Sequence, residues 1–158
     1  MASPTETTGT SSALGTSEAQ ACALKEVRAL YEDGAVDLEV AVEHEHNFDA
    51  MIFKGGRPGP KFLMDLVVPG RTVYVLAFVR GVDETCRSKG TITSRTAHGL
   101  CVDAHADHGW SGGVVVSARG NLVGMIVGET AQKNQVEAVS AEALRFFAMW
   151  HDVPTLQA

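Results

Sequence analysis

The stretch His108-Gly109-Trp110-Ser111-Gly112-Gly113 places a serine inside a frame of glycines. An apolar run, Val114 to Val116, follows at once, and a second apolar run, Leu122 to Gly128, comes after the polar turn Ala118-Arg119-Gly120-Asn121. Glycines adopt backbone conformations that other residues avoid and let other segments come close. A serine held in this way exposes a hydroxyl beside free backbone N–H groups, which are the parts of a nucleophile with an oxyanion hole. Taken alone, the stretch fits an ordinary glycine-rich loop before a β-hairpin equally well.

The bulk properties of the chain indicate a small globular protein. Its 158 residues suffice for one domain or for two small lobes that share a core. The net charge of −6 argues against a nucleic-acid-binding or polybasic membrane surface. No apolar run approaches the roughly 20 residues that span a bilayer, and the first residues lack the features of a secretory signal. We therefore expect a cytoplasmic protein without a membrane segment and without a nucleic-acid partner.

The cysteines support the same compartment. Cys22, Cys86 and Cys101 are odd in number and lack CxxC spacing, which is typical of reduced thiols. A single disulfide between Cys86 and Cys101 is the less favoured alternative.

The first half of the chain contains mostly strand patterns. Residues 1–18 are half Ser and Thr, which predicts a disordered or loosely packed arm. The spacing of Leu24, Val27, Leu30 and Tyr31 predicts a short helix over residues 24–31. Strict alternation of apolar and polar residues over 36–43 predicts a strand with one wet face. Further strands are predicted at residues 48–54, 62–68, 72–80, 90–94 and 99–103.

The second half predicts a hairpin, one more strand and a helix. Residues 113–117 and 122–128 form the hairpin, and residues 135–139 the last strand. Ser140 caps a helix of Ala141 to Trp150. Many short strands without alternating helices predict an all-β barrel or sandwich.

An acidic residue ahead of an apolar strand supplies a second candidate site residue. Asp49 precedes Ala50-Met51-Ile52-Phe53, where it could orient an imidazole, although an Asp that merely begins a strand explains this pattern alone. Together with Gly109-Trp110-Ser111-Gly112 and Val123-Gly124-Met125, it resembles the chymotrypsin-like serine proteases. The resemblance is to the viral branch in particular, the polyprotein proteases of sobemovirus- and polerovirus-type positive-strand RNA viruses.

This resemblance implies an all-β, chymotrypsin-like double β-barrel with the site between two lobes. It implies that Ser111 is the nucleophile, that the N–H groups of Gly109 and Ser111 form the oxyanion hole, and that Asp49 is the orienting acid. It also implies a substrate-binding strand, formed by Val123, Gly124, Met125 and Ile126, that pairs with a peptide or polyprotein substrate. No cofactor is expected. Zinc sites at His44, His46 and Asp49, or at His105, Asp107 and His108, are disfavoured alternatives, so no metal is expected.

The catalytic base departs from the family pattern. Leu24, in Ala21-Cys22-Ala23-Leu24, stands where the family has its histidine, and no histidine precedes His44. His46 is a weak fallback because it lies on the same strand end as Asp49, whereas base and acid come from different loops in this family.

Two further departures concern the first lobe and the pocket. About twenty residues precede the expected histidine position, so we expect an abbreviated first barrel whose edge is covered by a second copy or another segment. Ile126 stands where sobemovirus-type enzymes have a histidine that helps to select an acidic P1 residue, so a small or apolar P1 is expected.

The sequence thus predicts an arm (1–18), a chymotrypsin-like domain (19–150) and a tail (151–158). The domain comprises a first lobe (19–68), a second lobe (69–140) and a C-terminal helix (141–150). Two functions fit. One is a serine endopeptidase for viral polyprotein processing in the host cytoplasm, a context that the Leu-Gln-Ala ending also favours. The other is an inactive pseudoprotease that serves as a structural, capsid or protein-binding module.

Overall fold

The computed structural model describes residues 3–4, 27–45, 50–59, 62–79, 84–129 and 134–151, with the backbone alone for 3–4, 42–45 and 129. The strands are β1 (Ser3–Pro4), β2 (Val27–Tyr31), β3 (Gly34–Glu45), β4 (Ala50–Lys54), β5 (Thr72–Ala77), β6 (Cys86–Arg95), β7 (Gly99–Asp103), β8 (Val114–Ser117), β9 (Leu122–Glu129) and β10 (Gln135–Ser140), and the helix is α1 (Ala141–Trp150). The predicted arm and tail fall almost entirely outside the described residues, and the lobe boundaries stay a prediction.

The first strands form an open antiparallel sheet in the order β1-β2-β3-β4. The alternating pattern over 36–43 is confirmed as part of β3. Its polar face carries cross-strand ion pairs, in which Arg28 lies 3.7 Å from Asp37 and Lys54 lies 3.4 Å from Glu39. Among the described residues these strands form an open sheet and not a closed barrel, in agreement with the expected abbreviated first barrel.

Two elements were predicted wrongly. Residues 27–31 form strand β2 and not part of a helix: Val27 and Ala29 are buried while Arg28 between them is exposed. Apolar side chains also alternate along these residues with the period of two that a strand requires. Pairing with β3 across the turn that ends at Gly34 favours the strand over the helix that the spacing of apolar residues predicts. Residues 62–68 form no strand apart from a bridge between Met64 and Leu122, because most of this segment runs over the surface.

The later strands close into a six-stranded barrel in the order β10-β7-β6-β5-β8-β9. Alternation along β5 buries Val73 and Val75 and turns Tyr74 outward. The core cluster consists of Val67, Val73, Val75, Ala77, Ile92, Leu100, Val102, Ala104, Trp110, Val115, Val123, Ile126, Val136 and Ala138. The predicted hairpin is confirmed, with Gly120 at φ 81° in its turn.

The predicted C-terminal helix is also confirmed. The Ser140 hydroxyl accepts a hydrogen bond from the Ala143 N–H at 3.1 Å, and Glu142 lies in the first turn. Phe147 is buried, and α1 packs against β9 and β10. The helices of the described residues include none that is both long and apolar enough to cross a membrane.

Candidate active-site loop

A tight turn sets the backbone immediately before Ser111. The Trp110 N–H donates to the Asp107 carbonyl oxygen at 3.2 Å, and Gly109 occupies the third position of this turn at φ 92°. A positive φ at that position defines a type II turn, which favours glycine. Gly109 is therefore required by the local backbone.

A second tight turn contains Ser111 itself. The Gly113 N–H donates to the Trp110 carbonyl oxygen at 2.9 Å, and Gly112 occupies the third position at φ 84°. Ser111 is the second residue of this turn, where side chains project away from the turn's hydrogen bond. The two turns share Trp110, so this residue links the backbone on both sides of the serine.

The loop is hydrogen-bonded to strand β9 and lies close to strand β5. The Gly112 N–H donates to the Ile126 carbonyl oxygen and the Ile126 N–H donates to the Gly113 carbonyl oxygen, both at 2.8 Å. A Cβ at Gly113 would lie 2.5 Å from the Leu76 carbonyl oxygen and 2.9 Å from that of Trp110. Only glycine fits between these two carbonyl groups.

Ser111 is half-buried, and its donors are unused within the described part of the chain. There, neither the N–H of Gly109 nor that of Ser111 meets an acceptor, and the Ser111 hydroxyl has no hydrogen-bond partner. Free backbone donors beside a held hydroxyl are what an oxyanion requires. The assignment of Ser111 as nucleophile and of these N–H groups as an oxyanion hole stays a prediction.

The predicted partners of Ser111 lie outside the described residues. Asp49 and His46 fall between Glu45 and Ala50, the paired ends of β3 and β4. Leu24 precedes β2 in the sequence and also lies outside the described residues. The structure thus places the candidate nucleophile and leaves its acid and base as predictions.

The predicted substrate-binding residues lie within β9, where its backbone is paired. Val123 and Ile126 are 1% and 3% exposed and belong to the barrel core. Gly124 and Met125 have strand partners on both sides, in β8 and in β10. The backbone of these residues is therefore paired within the barrel, and their part in substrate binding stays a prediction.

The continuation of β9 has an open edge, formed by Val127 and Gly128. It pairs with β10 on one side, while no described strand pairs with the other side. A Cβ at Gly128 would meet no described atom within 4 Å, so the face of the sheet at this position is open as well. Because Ile126 is bonded to the serine loop, this edge begins next to Ser111. Sequence reasoning missed it, since the apolar pattern of β9 does not reveal where its partner strand ends.

An acidic residue fixes the turn end of the β8–β9 hairpin. The Asp65 carboxylate accepts hydrogen bonds from Arg119 at 3.2 Å and from the Asn121 amide at 3.3 Å. The Ser117 hydroxyl lowers the pKa of Asp65, with further lowering by Arg119 and Asn121, against the raising effect of burial. The Asp65 N–H donates to the Leu122 carbonyl oxygen. The segment between the two sheets is therefore tied to the hairpin that follows the serine loop.

A contact missed in the sequence lies just before the serine. His105 Nε2 is 3.1 Å from Asp107 Oδ1, and the His105 ring meets the Trp110 ring edge-on, with 6.2 Å between centroids. The spacing His-x-Asp is visible in the sequence. The contact of His105 with Trp110 depends on the turn that brings Trp110 back towards His105.

The other reactive groups form no centre among the described residues. Cys86 and Cys101 are free thiols. No trio of His, Cys, Asp or Glu side chains there could hold a metal ion.

No protein-family model and no curated protein sequence matches this chain. Among solved structures, Rv3671c of M. tuberculosis H37Rv, a serine-to-alanine mutant in an inactive form, superposes with a TM-score of 0.68. The two are 15% identical, and the match covers 81% of this chain and 71% of that chain. The fold is chymotrypsin-like.

The chymotrypsin-like, all-β fold predicted from the sequence is therefore confirmed. In all, 275 chains of solved structures match, so the likeness identifies a widespread scaffold and not one activity. Viral affiliation stays a prediction.

Proposed function

We propose that this chain is a serine-endopeptidase-like domain with Ser111 as its nucleophile. One observation carries the proposal: Ser111 lies within the second of two successive type II turns, and the N–H groups of Gly109 and Ser111 meet no acceptor among the described residues. In acyl transfer, the serine oxygen attacks a carbonyl carbon, and the carbonyl oxygen becomes an oxyanion that such donors stabilise. The chymotrypsin-like fold supports the same assignment.

The proton on Ser111 needs an acceptor. Asp49 is proposed as the acid that orients an imidazole, following the sequence pattern at the start of β4. The base is unassigned, because Leu24 stands in the expected position and His46 is the fallback. Without a base, positioning and the oxyanion hole alone would leave several orders of magnitude less activity.

The substrate is proposed to be an extended peptide. The open edge of β9, Val127 and Gly128, offers backbone groups to which a peptide can add as a strand. Val123, Gly124, Met125 and Ile126 support that edge by fixing β9 within the barrel. Ile126 adds no charged group, which favours a small or apolar residue before the scissile bond.

Processing of a viral polyprotein in the host cytoplasm is the specific form of this proposal. Its support is the sequence pattern Gly109-Trp110-Ser111-Gly112 with Val123-Gly124-Met125. The resemblance of this pattern to sobemovirus- and polerovirus-type proteases is the reason to test viral junction peptides first.

A pseudoprotease is the second candidate function. The feature that favours it is Leu24, which stands where the resembled family has its histidine. The open first sheet also offers the outer edge of β4 to a partner, because no described strand pairs with that edge. Such a protein would act by binding or assembly, with a second copy or another segment on that edge.

Peptide cleavage distinguishes the two functions. A library of extended peptides, including viral junctions with small or apolar P1 residues, is incubated with the protein and analysed by mass spectrometry. We expect cleavage that Ser111→Ala abolishes and that Ser94→Ala, an exposed serine on β6, leaves intact. Cleavage that survives Ser111→Ala would contradict the nucleophile assignment, and specific peptide binding without cleavage would favour the pseudoprotease.

A further inference from the structure

An exposed His–Asp pair stands beside the serine loop without an evident structural purpose. His105 and Asp107 have side chains that are 61% and 68% exposed. Exposed pairs of this kind contribute little to folding stability. Their position is more informative, because Asp107 also supplies the carbonyl oxygen that closes the turn before Ser111.

The pair acts on a residue at the centre of the loop. Trp110 is 6% exposed and packs in the barrel core. The His105 ring meets the Trp110 ring at an angle of 75°, the edge-to-face arrangement that aromatic pairs favour. The Trp110 ring is therefore held by the core and by an imidazole, and Asp107 holds that imidazole.

The backbone of Trp110 belongs to both tight turns, so a displacement of this residue would reach the peptide units on either side. Its N–H closes the turn that contains Gly109, and its carbonyl oxygen closes the turn that contains Ser111. A shift of the Trp110 backbone, which could follow from a change in how its ring packs, would move the Ser111 N–H relative to the Gly109 N–H. A misplacement of about 1 Å in such a site can cost on the order of 100-fold in rate.

We infer that His105, oriented by Asp107, is a positioning residue of the serine loop that acts through Trp110. The inference rests on the proposed function, since it assigns a purpose to the placement of Ser111. The structure shows contacts of His105 with Asp107 and Trp110, so its effect on Ser111 is indirect.

The chain allows a spectroscopic test that does not depend on activity. It contains two tryptophans, and Trp150 is exposed at the end of α1. In a Trp150→Phe background, the near-ultraviolet circular dichroism of tryptophan reports on Trp110 alone. We expect His105→Ala to reduce the Trp110 signal by about half while the melting temperature shifts by no more than about 2 °C.

Two variants separate the parts of the contact. His105→Phe keeps an aromatic edge against Trp110 and should restore most of the signal. Asp107→Ala keeps the carbonyl oxygen of the turn and removes the partner of His105, so it should lower the signal less than His105→Ala. His108→Ala, an exposed histidine of the same loop, is the matched control and should leave the signal unchanged.

Reactivity of Ser111 gives the second readout. We expect a fluorophosphonate to label His105→Ala about ten times more slowly than the parent, with His105→Phe in between and His108→Ala unchanged. The double variant with Asp107→Ala should react no more slowly than His105→Ala, because the two residues act as one unit.

The outcomes separate this inference from the proposed function. An unchanged Trp110 signal in His105→Ala, or a changed signal with unchanged labelling, overturns the positioning role. If the parent protein is not labelled at all, the assignment of Ser111 as nucleophile fails. In that case the dichroism of the four variants alone decides whether His105 positions Trp110.

Discussion

The barrel and the first sheet differ in how completely they bury their apolar residues. In the barrel, Leu100 and Val75 are fully buried, and glycines let strands approach closely. In the first sheet, Val36, Leu38 and Val40 share one face of β3 and are only half-buried. The barrel is therefore a closed unit, whereas the first sheet is an open one.

The residues proposed for the candidate site come from both of these units. Ser111 and its turns belong to the barrel, which fixes them through β5 and β9. Asp49 and His46 belong to the connection between β3 and β4 in the open sheet. The proposed nucleophile thus lies on the better-packed unit, whereas the proposed orienting acid and the fallback base lie in sequence between two strands of the other.

A matched pair of leucine variants tests this comparison with the largest expected effect. Leu100→Ala should cost about 2–5 kcal/mol of unfolding free energy, since it leaves a cavity in a closed core. Leu38→Ala on β3 should cost about 1 kcal/mol, since much of that side chain is already in water. Urea denaturation measures both, and equal losses would show that the first sheet is as well packed as the barrel.

A pair of glycine variants tests how closely the serine loop packs against the barrel. Gly113→Ala should cost about 1–3 kcal/mol, because its Cβ would meet the carbonyl oxygens of Leu76 and Trp110. Gly128→Ala should be close to neutral, because its Cβ would meet open space. Thermal denaturation compares them, and a neutral Gly113→Ala would contradict the close approach of β5 to the serine loop.

The smallest expected effect concerns Asp65, on the segment between the first sheet and the barrel. The folded-state pKa of Asp65 lies below its unfolded-state value. Its carboxylate therefore contributes stability that is complete above the unfolded pKa and is lost as the pH falls through the folded pKa. Asp65→Asn should lower the melting temperature near pH 7, and the difference from the parent should shrink below about pH 4.

A charge control completes this test. Asp103→Asn removes an exposed carboxylate at the end of β7 and should leave the melting temperature near pH 7 almost unchanged. A difference for Asp65→Asn that stays constant down to about pH 2 would refute the proposed contribution of the ionised carboxylate.

The sequence predicted the barrel better than the first sheet for a physical reason. The hairpin around Gly120 and the Ser140-capped helix are encoded by local patterns, so they were predicted nearly to the residue. The region Val27–Tyr31 fits both a helix and a strand, and only its pairing with β3 decides between them. Residues 62–68 have strand-like composition, but most of them lack a neighbouring strand with which to pair.

The candidate site shows the same division between features that a local sequence pattern encodes and features that depend on tertiary structure. The glycines around Ser111 indicated a tightly turned loop, and the structure explains them by two type II turns and a close approach of strand β5. The open edge at Val127 and Gly128 and the contact of His105 with Trp110 depend on tertiary structure, and no local pattern encodes them.

Mapping the adduct of a fluorophosphonate tests the central claim most directly, because it asks whether the loop activates Ser111. The native protein is treated with the probe, digested and analysed by mass spectrometry beside a urea-unfolded sample and the Ser111→Ala variant. We predict one phosphonylated residue, Ser111, in the native protein and none in the other two samples. A native protein without an adduct, or one labelled equally at Ser94 and other exposed serines, would contradict the claim.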